Sequence, residues 1–201
     1  ARGVFQAYRL RDGARLWHRK VEFEANQAVA VGRIGGSDRL AVVAGIGQNP
    51  GMPIIASLPA WMPLPFKGLV HWLALATENR PSWLWRTPAW EGAFLALDAA
   101  TGDTRWMWRA PTYQRFATMG DEEFLTTRAR LERSDLICLP DSWSQATIDG
   151  SGTAYGGYSD GHLYAFRDSD GDGKINDTEV SKHYVASGFQ ASEALAPGLL
   201  A

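Results

Sequence analysis

The feature that most constrains this chain is a frame that recurs three times without a gap. The segments GVFQAYRLRDGARLW (Gly3 to Trp17), GAFLALDAATGDTRW (Gly92 to Trp106) and GHLYAFRDSDGDGKI (Gly161 to Ile175) overlay residue for residue. Each opens on Gly, followed at alternate positions by an apolar residue (Phe5, Phe94, Leu163) and an Ala (Ala7, Ala96, Ala165). A second Gly comes later (Gly13, Gly102, Gly171), and a large apolar residue closes the frame (Trp17, Trp106, Ile175). Alternating apolar residues make a strand with one buried face, and the small Ala lets a neighbouring sheet approach. The polar run ending in Gly predicts a tight turn whose last residue takes positive φ. The closing Trp or Ile is then expected to open the returning strand and to pack back across the first. Each copy is predicted to be a β-hairpin.

Two stretches between the copies carry the same kind of signal. AVAVGRIGGSDRLAVVAG (Ala28 to Gly45) reads as two strands joined by a Gly-Gly-Ser-Asp turn. ATIDGSGTAYGGYSDGHLYAF (Ala146 to Phe166) reads as a meander of three strands.

The second copy, ALDAATGDTRW, resembles the repeat of pyrroloquinoline-quinone-type β-propellers, the quinoprotein dehydrogenase-like superfamily. In that repeat Ala-x-Asp-x-x-Thr-Gly-x-x-x-Trp marks the outer hairpin of each blade, and the Trp docks between blades. Ala96, Asp98, Thr101, Gly102 and Trp106 match it most fully; the first copy has Arg9 in place of the Asp, and the third has Ile175 in place of the Trp. The resemblance implies an all-β fold of four-stranded antiparallel blades. Both intervals between copies exceed the roughly 40 to 50 residues of one blade, so inserts are expected at about 51–90 and 111–140. A propeller closes only with its full ring, typically about four to eight blades. Residues 1–201 are therefore expected to be a segment of one larger propeller domain, a reading in keeping with the lack of an initiator Met or a signal-peptide pattern at the start.

The first insert holds Trp61, Trp72, Trp83, Trp85 and Trp90 among repeated prolines. Such a segment packs over the propeller by its own aromatics, or else offers a groove, a protein-docking face or a peripheral membrane contact. Its most apolar window, Gly68 to Ala76, is too short to cross a bilayer, which takes roughly 20 apolar residues. In the second insert, GDEEFLTTRARLERSD from Gly120 places acids first and arginines later, as a short helix prefers.

In the third copy the hairpin turn has been rewritten as DSDGDGKINDTE, Asp168 to Glu179. Asp168, Asp170 and Asp172 fall at positions 1, 3 and 5 of a twelve-residue calcium loop, and Gly173 permits the sharp turn at position 6. Lys174 offers its backbone carbonyl at 7, Asn176 can hold a water at 9, and Glu179 can bind through both oxygens at 12. Hard oxygen ligands in this spacing point to Ca²⁺. The preceding segment is strand-like, so the expected object is a blade hairpin whose turn was lengthened into a calcium loop of the EF-hand type. A single loop without flanking helices suits a structural ion better than a sensor, and an affinity tuned to calcium-rich surroundings places the protein outside the cytoplasm.

Other chemistry finds little support. A net charge of -2 with both signs dispersed excludes a nucleic-acid footprint. Cys138 is alone, so no internal disulfide forms, and the adjacent cysteines that cover the quinone in the related dehydrogenases are missing. His18, His71, His162 and His183 lack zinc spacing, and Ser142 and Ser144 lack a hydrolase elbow. No catalytic residue is assigned. The reading is a calcium-binding, non-catalytic scaffold for a protein partner or larger assembly. The alternative is a quinone-dependent oxidoreductase whose cofactor site lies outside this chain.

Overall fold

The structure is a computed structural model that describes residues 3–48, 61–76, 89–114, 141–185 and 193–200. Alternating apolar residues separated by Gly and Asp turns produce four antiparallel sheets. The first is a hairpin of β1 (Val4–Tyr8) and β2 (Arg15–Lys20). The second is a four-stranded meander of β3 (Ala30–Arg33), β4 (Leu40–Gly47), β5 (Gly92–Asp98) and β6 (Thr104–Arg109). A third sheet repeats that order with β7 (Thr147–Ile148), β8 (Ala154–Gly157), β9 (His162–Phe166) and β10 (Val180–Tyr184). A short hairpin, β11 (Leu195–Ala196) and β12 (Leu199–Leu200), follows.

All three copies of the frame are hairpins, and the first two agree in detail. Ala7 faces Trp17 and Ala96 faces Trp106, with the register shifting at the next residue in both. Their turns close alike: Arg9 N–H donates to Ala14 O (2.8 Å) and Asp98 N–H to Asp103 O (2.7 Å). Gly13 and Gly102 both take positive φ, 69° and 77°, as the tight turn requires.

The third copy departs after its second Gly. The corresponding closing bond runs from Arg167 N–H to Glu179 O (3.1 Å), so the whole of 168–178 is interposed. Ala165 therefore faces Ser181, and Ile175 does not open the returning strand as expected. Ile175 instead sits in the loop and joins the aromatic core cluster that includes Trp106 and Phe166, an apolar anchor for the lengthened turn.

The sheets stack face to face. Along β5, Ala93, Leu95 and Leu97 join Phe5 and Phe23 in one cluster, while Phe94 and Ala96 join Trp143, Tyr164 and Phe166 in another. Every residue of β5 is buried, as expected of a strand covered on both faces. The second seam is aromatic: Phe94 stacks on Phe166 at 4.6 Å between ring centroids, and Trp108 lies 5.2 Å from Phe166. Close approach depends on missing side chains. A Cβ at Gly45 would lie 2.3 Å from the Trp143 Cβ, and one at Gly156 would lie 2.5 Å from the Phe94 ring. In β9 the frame's own face, Leu163 and Ala165, is only half-buried, whereas Tyr164 and Phe166 are fully buried. The frame residues in each copy face onward along the stack, so those of β9 point away from β5.

The first insert contains a helix, α1 (Leu64–Ala76). Pro65 fits in its first turn, where no backbone N–H is required. Trp61, Phe66 and Leu69 are exposed around its start. Among the described residues no helix is long and apolar enough to cross a membrane. The helix expected from Gly120 lies outside the described residues.

Candidate metal centre

The loop from Asp168 to Glu179 leaves the end of β9 and returns through a single 3₁₀ turn (Asp177–Glu179) into β10. Its aspartates first serve to fold it. Asp168 Oδ1 accepts from Gly171 N–H (2.7 Å) and Oδ2 from Gly173 N–H (3.1 Å). Asp170 Oδ1 accepts from Asp172 N–H (3.1 Å), and Asp172 Oδ1 from Lys174 N–H (2.8 Å). Successive Asx turns of this kind coil the chain around its own carboxylates. Gly171 and Gly173, at φ 75° and 77°, supply the left-handed residues that such a coil needs.

The result is that Asp168, Asp170 and Asp172 each offer a ligand oxygen within 4.8 Å of the others. Such a spacing suits one cation among three carboxylates, and the all-oxygen donor set suits calcium rather than zinc. The other predicted ligands are placed differently. Glu179 stands outside that group and is nearly buried, at 8% exposure. Its Oε1 accepts from Ser169 N–H (2.7 Å) and Ser169 Oγ (3.0 Å), and its Oε2 from Asn176 N–H (3.2 Å). The Ser169 and Asn176 amides hold the Glu179 carboxyl below its ordinary range. A carboxylate has about four lone-pair sites, so these bonds leave capacity for a cation. Asn176 accepts from Thr178 N–H (3.0 Å) and caps the 3₁₀ turn in a reciprocal capping box with Glu179. Lys174 is exposed and follows directly on Gly173.

The loop is pressed on the second sheet. A Cβ at Gly35, in the β3–β4 turn, would lie 2.8 Å from Asp168 O, and one at Gly173 would lie 3.3 Å from Arg105 O. Beside this contact lies a cavity of about 270 Å³ whose wall includes Ile34, Arg39, Arg105, Trp106, Asp168 and Gly171.

Sequence reasoning missed the charged knot under that cavity. Asp98, whose side chain is 5% exposed, meets Arg39 at 2.7 Å and Arg105 at 2.9 Å. Arg105 also donates to the carbonyls of Arg39 and Leu40 (both 3.0 Å), tying β6 to the start of β4. The Arg105 hydrogen bond, opposed by burial and helped by the Ala100 and Thr101 amides, lowers the Asp98 carboxyl from its usual value. The Asp of the repeat pattern was the available signal; Arg105 lies seven residues on in the same hairpin, but Arg39 is remote in sequence.

Among the described residues, the His and Ser side chains singled out in the sequence are not gathered at one point. His162 Nδ1 lies 3.2 Å from Asp160 Oδ2, which also accepts from Tyr164 OH (2.7 Å), and the His162 ring packs near Tyr184. Ser144 Oγ donates to Glu193 Oε1 (2.6 Å) and accepts from Gly157 N–H (2.8 Å). His18 and His183 are exposed. Cys138 lies outside the described residues.

Comparison with known proteins finds no family model that matches the chain and no curated protein that matches it.

Proposed function

We propose that the chain is a calcium-binding scaffold, a segment of a β-propeller whose stacked four-stranded sheets are its blades and whose third hairpin carries one structural Ca²⁺. The observation that carries this reading is the three-aspartate group within 4.8 Å, held by a loop that interrupts an otherwise repeated hairpin. Asp168, Asp170 and Asp172 would supply the carboxylate ligands, with Lys174 O, a water on Asn176 and Glu179 completing the sphere. The meander order and the face-to-face stack support the propeller reading, since each sheet covers the next. An open stack of this kind presents sheet edges and the exposed residues Trp61, Phe66 and Leu69 to a protein partner or larger assembly. A structural ion of modest affinity suits an extracytoplasmic setting, where Kd values of roughly 10⁻⁴ to 10⁻³ M serve.

The test is thermal unfolding with and without Ca²⁺. At a concentration about 100-fold above Kd, the melting temperature should rise by about 5 °C or more. Asp172→Asn, an exposed change, should abolish the rise. Equal melting temperatures for the wild type in Ca²⁺ and in chelator would overturn the reading. Adding quinone separates a scaffold from an oxidoreductase, because a stoichiometric reducible chromophore would mean an enzyme.

A further inference from the structure

The stack has two seams, and they differ in how the closing Trp of one hairpin meets the turn of the next. At the first seam, Trp17 from the first hairpin lies over the turn of the next copy. Its Nε1–H donates to Ala99 O (2.9 Å), and a Cβ at Gly102 would meet its ring at 2.7 Å. The frame predicts the same lock at the second seam, since Trp106 corresponds to Trp17, Asp168 to Ala99 and Gly171 to Gly102.

That lock is not made. Trp106 is 3% exposed, yet among the described residues its Nε1–H has no hydrogen-bond partner. Nothing lies within 4 Å of a Cβ placed at Gly171, and the Asp168 carbonyl rests on Gly35 instead. A buried donor without an acceptor is costly, so the position favours any arrangement that supplies one. Trp106, Asp168 and Gly171 line the same cavity. Asp168 thus belongs to two sites at once: its carboxylate is in the three-aspartate group and its carbonyl is at the seam.

Resting on the calcium reading above, we propose that cation binding in the loop latches the third sheet onto the second. Drawing Asp168 inward to the ion brings its carbonyl onto the Trp106 indole N–H, as Ala99 engages Trp17. Ion binding and indole docking then raise each other's affinity by the same factor, as linkage requires. The loop's ion is a fastener between sheets, and its effect is felt through Trp106 rather than through opening of helices.

The experiment uses the whole chain and the indole N–H resonances, with Trp106 identified by its loss in Trp106→Phe or by its contacts to the Phe166 ring. Ca²⁺ should move the Trp106 signal and slow its hydrogen exchange by about tenfold, leaving Trp17 unchanged; in Asp172→Asn it should do neither. Trp106→Phe should weaken Ca²⁺ binding by about fivefold, the factor for one ordinary hydrogen bond, whereas Trp17→Phe should not. Should Trp106→Phe fail to fold, the wild-type and Asp172→Asn spectra decide alone. Ca²⁺ binding with an unmoved Trp106 signal overturns the latch and leaves the calcium site standing. A Trp106 N–H already protected in chelator, through another acceptor in the cavity, also overturns it. No Ca²⁺ binding by the wild type overturns both.

Discussion

Asp98 shows how much one residue holds in this fold. It is a nearly buried carboxylate between two guanidiniums, one of which reaches on to two backbone carbonyls of the neighbouring turn. Removing its charge leaves Arg105, 16% exposed, without its counter-ion. Asp98→Asn should cost about 3 kcal/mol at about pH 6, in the range for breaking a largely buried pair. The pH dependence follows from the direction of the shift. A carboxyl whose folded pKa is depressed contributes stability that is complete above its unfolded value of 3.8 and is lost as pH falls through the lower folded value. Denaturant titrations of wild type and Asp98→Asn should therefore run parallel at neutral pH and converge only below 3.8. Curves that differ equally at every pH would remove the ion pair from the account.

At the scale of elements, the hairpins and the meander order were legible because alternation and Gly turns are local. The glycines that let sheets touch were visible as residues but not as contacts. Gly45→Ala should cost about 1–3 kcal/mol, since its Cβ would fall on the Trp143 Cβ and force two packed sheets apart. Gly150→Ala, in the β7–β8 turn with nothing within 4 Å, should stay within about 0.5 kcal/mol of wild type. Similar melting temperatures for the two variants would contradict the seam described here. The acidic loop was legible as a spacing of acids, and the structure brings Asp168, Asp170 and Asp172 together. The reading of Ile175 failed because a gapless overlay cannot show where a turn has been lengthened: the closing bond moves to Glu179, and the strand register moves with it. The helix α1 was not anticipated in the proline-rich insert, although Pro is accepted in a first helical turn. The Asp98 knot escaped for a different reason: Arg39 meets it only through tertiary folding.

On the scale of the molecule, stability is shared between two apolar seams and one polar loop. The seams bury β5 on both faces and need no ligand. The loop gathers three carboxylates on a short arc of backbone, and a divalent ion, as proposed above, would relieve their mutual repulsion. On the proposed calcium reading, such a protein should keep its sheets in chelator and tie its third hairpin down more firmly in calcium. Calorimetric titration of Ca²⁺ into the chelator-treated chain tests this most directly. One site per chain is expected, with Kd of roughly 10⁻⁴ to 10⁻³ M, lost in Asp168→Asn and Asp172→Asn and unaffected by Asp98→Asn. The absence of heat and of competition with a calcium indicator up to about ten times that concentration would contradict it.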